Sequence, residues 1–193
     1  IEQIKLSDSN KSIIDFGSDD KMDLKKEGYI LKIDDKKITI RAKDSAGLFY
    51  AFITLDQIIE DSKNNKTTLP IVDIEDFPSL EFRPIHIDIK HHTEKKTYYF
   101  NLIDHLAKLK VNGIIVEFED KLKYETRPEV GSSDSFSIDW WIELSEYAHN
   151  RNISINPLVQ GLGHASFILK HKKNFHLRDK PESDWAFNPL NPK

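Results

Sequence analysis

No cysteine occurs in the 193 residues. Disulfide scaffolds, Cys-ligated zinc, iron–sulfur centres and thiol nucleophiles are therefore excluded, while the compartment stays open, because an exported protein need not use cysteine. No apolar run approaches the ~18 residues that a membrane-spanning helix needs, so no membrane span is expected. Neither charge sign is in large excess: 28 Lys+Arg stand against 32 Asp+Glu, a formal net charge of −4. The paired lysines (Lys25-Lys26, Lys36-Lys37, Lys95-Lys96, Lys172-Lys173) are not interleaved with aromatics. They read as solvated faces, and no nucleic-acid partner is expected. Short-period repeats and low-complexity tracts are also missing. What remains is a globular composition, with 38% hydrophobic and 31% charged residues, able to build a core.

Residues 1–78 read as a small α/β unit. The stretches 28–33 and 37–41 alternate apolar and polar residues around Asp34-Asp35, the pattern of a β-hairpin. Asp44 is placed to cap a helix whose buried face carries Leu48, Phe49, Phe52, Leu55 and Ile59. A further strand over 69–74 and Pro78 close the unit. Residues 79–193 have a β-α-β-α-β-α rhythm. Strands are expected over 84–90, 114–118 and 153–158. Thr93 is expected to cap the first helix and Asn112-Gly113 to end it; Ser137 is expected to cap the second. Strands alternating with helices at this spacing define a parallel sheet. A closed (β/α)8 barrel takes roughly 250 residues, and three strands alone would leave two raw edges and one uncovered face. The expectation is therefore the front portion of something larger.

Polar groups gather where those strands end: Asp88, Lys90, His91 and His92 after the first, Glu117, Glu119 and Asp120 after the second, Gln160 and His164 after the third. The carboxyl ends of barrel strands carry the chemistry of such folds. Tyr124, Trp185 and Phe187 stand near this rim as candidates to line a sugar subsite. Trp140-Trp141 falls at helical positions and reads as core. His91-His92 does not read as a metal pair, since neighbours on a strand face opposite ways and no third ligand is in register.

The segments Glu27-Gly-Tyr-Ile-Leu-Lys-Ile33, Asp44-Ser-Ala-Gly-Leu-Phe-Tyr50, Leu69-Pro-Ile-Val-Asp-Ile-Glu-Asp-Phe-Pro78 and Phe82-Arg-Pro-Ile-His-Ile-Asp88 resemble the start of glycoside hydrolase family 20, the β-N-acetylhexosaminidases. Val111-Asn-Gly-Ile-Ile-Val-Glu-Phe-Glu-Asp120, Pro157-Leu-Val-Gln-Gly-Leu-Gly-His164 and Phe187-Asn-Pro-Leu-Asn-Pro192 are similar to its hexosaminidase D-like branch. The resemblance implies an α/β fold: a leading domain over 1–78, then the first three β/α units of a (β/α)8 barrel over 79–193, incomplete in this chain. It implies removal of terminal GlcNAc or GalNAc from glycans by a retaining, substrate-assisted reaction, in which the substrate acetamide attacks the anomeric carbon. The Asp-Glu pair that orients the acetamide and protonates the leaving oxygen is expected beyond Lys193, since no His-x-Gly-x-Asp-Glu segment occurs here. No catalytic residue is thus assigned within the chain, and the chain alone is expected to be inactive. Three roles carry over by resemblance: Arg83 to grip sugar hydroxyls, Asp120 as the acidic residue after the second strand, and His164 to support the acid. Gln160 stands where the family more often has an Asp behind that His. No metal and no cofactor are implied; the expected partner is a glycan ending in N-acetylhexosamine, with oligomeric state left open. A start at Ile1 rather than Met, with a glycan substrate, gives an expectation of export. Two other readings remain: a non-catalytic carbohydrate-binding or scaffold domain, and a related O-GlcNAcase-like hydrolase whose acidic pair would be two adjacent Asp residues.

Overall fold

The computed structural model describes residues 14–90 and 92–191. Two compact units divide the chain, Ile1–Glu81 and Phe82–Lys193.

The first unit holds β1 (Ile14–Ser18), β2 (Tyr29–Ile33), β3 (Ile38–Ala42), α1 (Ser45–Asn64) and β4 (Val72–Asp76), in sheet order β1-β3-β2-β4. Strands β2 and β3 form the expected antiparallel hairpin. Asp34 Oδ1 accepts the N–H groups of Lys36 and Lys37 at 2.8 and 2.9 Å, which fixes the turn and holds that carboxyl below its ordinary range. Alternate residues Tyr29, Leu31, Ile33, Ile38, Ile40 and Ala42 are buried, so one sheet face forms the core against α1. Asp44 caps α1 through Oδ1, which accepts the Gly47 N–H at 2.8 Å; its Oδ2 accepts the Glu27 N–H at 2.9 Å. One side chain thus ties the helix start to the segment leading into β2. Gly47 is required there, because a Cβ would lie 2.5 Å from the Gly28 carbonyl oxygen. The buried stripe of α1 is Gly47, Tyr50, Ala51 and Leu55; Ile59, expected on that face, is exposed. Strand β1, parallel to β3, was not anticipated from sequence.

The second unit holds β5 (Pro84–Asp88), α2 (Lys96–Lys108), β6 (Gly113–Glu117), α3 (Ile138–His149), β7 (Ser154–Leu158), α4 (Ser166–Leu169) and a 3₁₀ segment (Lys172–Leu177). The strands are parallel in the order β5-β6-β7. Both crossovers advance the same way, so the right-handed rule puts α2 and α3 on one face. Ile114 and Val116 are buried on that side with Tyr99, Ile103, Leu106, Trp140, Leu144 and Ala148. The opposite face carries His86, Asp88, Ile115, Glu117, Ser154 and Asn156, and of these His86, Asp88 and Ser154 are exposed. Trp140 packs with Tyr99 and Phe136 at ring-centroid distances of 5.4 and 3.9 Å, in the core as its helical position suggests.

Three local expectations are corrected. Thr93 does not cap α2: the cap position is Lys95, without a side-chain bond, and the Thr93 hydroxyl donates instead to Asp134 Oδ2 at 3.1 Å. Leu109, placed on the buried face of that helix from spacing, is exposed. Asn112-Gly113 does not end α2. Lys110, at φ 58°, turns the chain, with its N–H bonded to Ala107 O and that of Val111 to Leu106 O. Gly113 opens β6, where a Cβ would collide with the Phe82 ring at 2.3 Å. The Ser137 cap of α3 is present, accepting the Trp140 N–H at 3.3 Å.

Candidate active site

A parallel register sets the last residues of adjacent strands abreast, and here Asp88, Glu117 and Leu158 share one row. The loops that follow gather at one rim. At its centre is Glu117, only 5% exposed. Its Oε1 accepts two donors at 2.6 Å, the Lys90 ammonium and the Gln160 amide. The same ammonium lies 3.0 Å from Asp88 Oδ2, and His86 Nε2 lies 3.3 Å from Glu117 Oε2. One carboxylate at the end of β6 therefore binds groups from both neighbouring strands. The Lys90 hydrogen bond holds the Glu117 carboxyl below its ordinary range, against the opposing pull of burial, and the Gln160 bond adds to it. Lys90 is held above the ordinary lysine range by its hydrogen bonds to Glu117 and Asp88. The pair stays ionised across physiological pH.

A second cluster fixes the loop between β6 and α3. Lys121 is buried; its ammonium donates to Asp134 Oδ1 at 2.9 Å and Ser132 Oγ at 3.2 Å. Burial disfavours that charge, but the Asp134 bond and the Asp120 and Asp134 charges outweigh it, so its pKa rises. Asp120 sits between two cations, 3.5 Å from the ammonium groups of both Lys121 and Lys170. Its Oδ1 is buried and accepts no hydrogen bond among the described residues. The Tyr124 hydroxyl donates to the Glu119 carbonyl at 2.7 Å, and burial, with the Asp120 and Glu119 charges, pushes it up to about 12. Burial likewise raises the Glu119 carboxyl. These two groups are protonation-shifted by exclusion from water, in the manner common to reactive sites.

The three residues singled out from sequence are not all together. Asp120 and His164 both follow carboxyl ends of strands. His164 is exposed, at φ 55°, and its ring packs on Trp185 with centroids 4.1 Å apart. Arg83 precedes β5 and so lies at the amino end of the sheet. There its Nε donates to the Lys110 carbonyl at 2.9 Å, and its own N–H is bound by Asn112 Oδ1 at 2.7 Å. The structure does not bring Arg83 to the rim. Gln160 does not back His164; its amide is directed to Glu117. Of the histidine pair, His91 lies outside the described residues, and His92 is bonded to Glu94 at 2.7 Å. No group of three His, Asp or Glu able to hold a metal occurs among the described residues. No described helix is long and apolar enough to cross a membrane. The residues that sequence reasoning left without a role are Glu117 and Lys90. Their signal was present, a charge ending a β-branched strand and a lysine just past the neighbouring one.

Comparison with known proteins gives what the chain is similar to. Residues 1–77 match the model of glycosyl hydrolase family 20, domain 2. Hexosaminidase D of Bos taurus is 31% identical over 108 residues, which cover 55% of this chain and 31% of that protein. Beta-hexosaminidase of Porphyromonas gingivalis is 29% identical over 176 residues, covering 79% of this chain and 23% of that protein. Among solved structures, the exo-β-N-acetylglucosaminidase of Vibrio harveyi in complex with N-acetylglucosamine shares the fold, with a TM-score of 0.77 at 22% identity, over 95% of this chain and 34% of that one. The α/β architecture, with one mixed and one parallel sheet, is thus shared with that structure. The chain is thus similar to domain 2 of glycosyl hydrolase family 20 over its first 77 residues and to these hexosaminidases over the stretches given. It spans between about a quarter and a third of the relatives named here.

Proposed function

We propose that this chain supplies the leading α/β domain and the first three β/α units of a (β/α)8 barrel in a β-N-acetylhexosaminidase. The parent enzyme would remove terminal GlcNAc or GalNAc from glycans by the retaining, substrate-assisted route, with its Asp-Glu pair downstream of Lys193. The observation that carries this reading is the rim of the β5-β6-β7 sheet. An ionised, buried Glu117 ties three strand ends together there, with Asp120 and His164 on the loops beyond, at the end of the sheet where barrel enzymes hold substrate. The polar sheet face that carries His86 and Glu117 is turned away from α2 and α3, as the inner face of a barrel stave would be.

In this reading Asp120 and His164 face the sugar. The Asp120 Oδ1 is buried beside Lys121, and the 18% of the side chain left exposed is the part a sugar hydroxyl would reach. His164 is oriented by stacking rather than by a carboxylate. Arg83, given a sugar-gripping role by the resemblance, fastens the amino end of β5 to the segment before β6 in the arrangement described. The 193-residue chain should show saturable binding of GlcNAc in calorimetry or NMR titration but no release of p-nitrophenol from the aryl GlcNAc glycoside. Absence of binding refutes the sugar site, and turnover abolished by Arg83→Ala refutes the placement of the acid outside the chain.

A further inference from the structure

Only 10% of the Lys121 side chain is exposed, and a buried ammonium is costly unless its three protons find acceptors. Two of them do, Asp134 Oδ1 at 2.9 Å and Ser132 Oγ at 3.2 Å. Asp134 is itself fastened: its Oδ1 accepts the Ser132 hydroxyl at 2.6 Å and its Oδ2 the Thr93 hydroxyl at 3.1 Å. The ammonium also faces Asp120, whose Oδ1 lies 3.5 Å away. That is longer than a good N–H···O bond, and Oδ1, although buried, accepts no hydrogen bond among the described residues. Attraction between the charges persists at that range. With two protons committed to Asp134 and Ser132, the ammonium stops short of Asp120 instead of closing on it. The backbone of Asp120 is fixed as well, since its carbonyl accepts the Ser132 N–H at 2.8 Å. Its second carboxylate oxygen, Oδ2, lies 3.5 Å from the ammonium of Lys170, a side chain 48% exposed. One oxygen thus faces a buried cation and the other a half-exposed one.

We infer that Lys121 is a positioning residue for sugar binding: its buried ammonium holds Oδ1 of Asp120 inward and leaves Oδ2 as the oxygen presented to a hydroxyl of the N-acetylhexosamine. This deepens the proposed function and rests on it. A carboxylate on a loop has a rotor to immobilise, and immobilising it on binding costs affinity. A cation behind one oxygen settles that rotor before the ligand arrives. The same cation offsets the lost hydration of a carboxylate only 18% exposed. Asp134 and Ser132 complete the device. They hold the ammonium near enough to orient Asp120 and too far to occupy it.

The test is a double-mutant cycle on the 193-residue chain: wild type, Asp120→Asn, Lys121→Met and D120N/K121M, each titrated with GlcNAc in a calorimeter. Thermal unfolding establishes that each variant is folded at the temperature of titration. D120N and K121M should each weaken binding on the order of tenfold, the size of one hydrogen bond to a charged group. The double variant should bind no more weakly than D120N, because the lysine acts only through the carboxylate. A merely structural role gives instead a loss from K121M of the same factor in both backgrounds. Should K121M fail to fold, Asp134→Asn serves in its place, at a side chain 53% exposed. It keeps the ammonium but loosens it, and should weaken binding a few-fold with Asp120 present and not at all in D120N. A K121M affinity equal to wild type, or a loss from K121M or D134N that persists undiminished in D120N, overturns the positioning role and leaves the rim reading standing. Failure of the wild type to bind GlcNAc overturns both.

Discussion

Replacing Lys90 by methionine removes the ammonium from a carboxylate that cannot reach bulk water. Glu117 is 5% exposed, and the lysine that neutralises it, with 17% of its side chain exposed, lies 2.6 Å away. Breaking one half of a buried pair leaves the other charge uncompensated, at a typical cost of 3–5 kcal/mol. Gln160 still donates to Glu117, and Lys90 also loses its bond to Asp88 near the surface, so the low end applies, ~3 kcal/mol near neutral pH. The pH dependence has a definite sign. In the native protein the Glu117 carboxyl titrates below its unfolded value, so its contribution is complete above about pH 4.3 and is lost as the pH falls through the native value. Without Lys90, burial dominates and lifts that carboxyl above its unfolded value. The deficit of K90M is then greatest at neutral pH and shrinks on acidification toward the raised value, where the carboxyl takes up a proton. All three tryptophans belong to the second unit, so their emission during urea unfolding reports that unit. The double variant K90M/E117L should recover most of the loss, because an apolar pair of similar volume replaces a buried ion pair at little cost. A K90M variant within about 1 kcal/mol of wild type near pH 7, or one whose deficit is the same near pH 5, would refute the hub.

Two further substitutions test the frame. Gly47→Ala would ordinarily favour a helix by about 1 kcal/mol, but its Cβ would meet the Gly28 carbonyl at 2.5 Å. It should instead destabilise the first unit by ~2 kcal/mol, read by thermal unfolding in circular dichroism, and a gain would contradict the close approach. Lys110→Gly relieves a left-handed residue at φ 58° and should stabilise the second unit by ~0.5–1 kcal/mol in urea unfolding, with a loss counting against the turn.

Local structure was legible wherever one residue decides it. Asp34, Asp44 and Ser137 each place a short polar side chain against specific backbone N–H groups, and each turn or cap forms as read. Periodicity was less exact at helix ends. Ile59 sits one position off the stripe, where Ile58 packs on the core instead, and Leu109 is the residue that caps α2 rather than part of it. Thr93 and Lys95 show the same limit: a capping residue type stands near the helix start, while the start itself is two positions on. Strand β1 is not legible because Ile14–Ser18 lies exposed at a sheet edge, where no burial enforces alternation. At the site, the rim was legible because parallel strands must end together. Arg83 could have been set apart on the same ground, since a residue preceding a strand belongs to the other end of the sheet.

The partner of Gln160 was not legible, and the reason is a competition between two acceptors. By sequence its place is four residues before His164, one loop away, and a neutral amide there suits the imidazole. In the fold it also lies within reach of Glu117, which is forty-three positions distant and ionised in a site almost without water. A bond to a buried carboxylate is charge-assisted and faces no competition from solvent, whereas His164 is exposed and water can serve its nitrogens. The amide therefore goes to the carboxylate, at 2.6 Å. Two consequences follow together: Glu117 gains a donor from the third strand end, which locks the rim, and His164 is left to be oriented by the indole of Trp185.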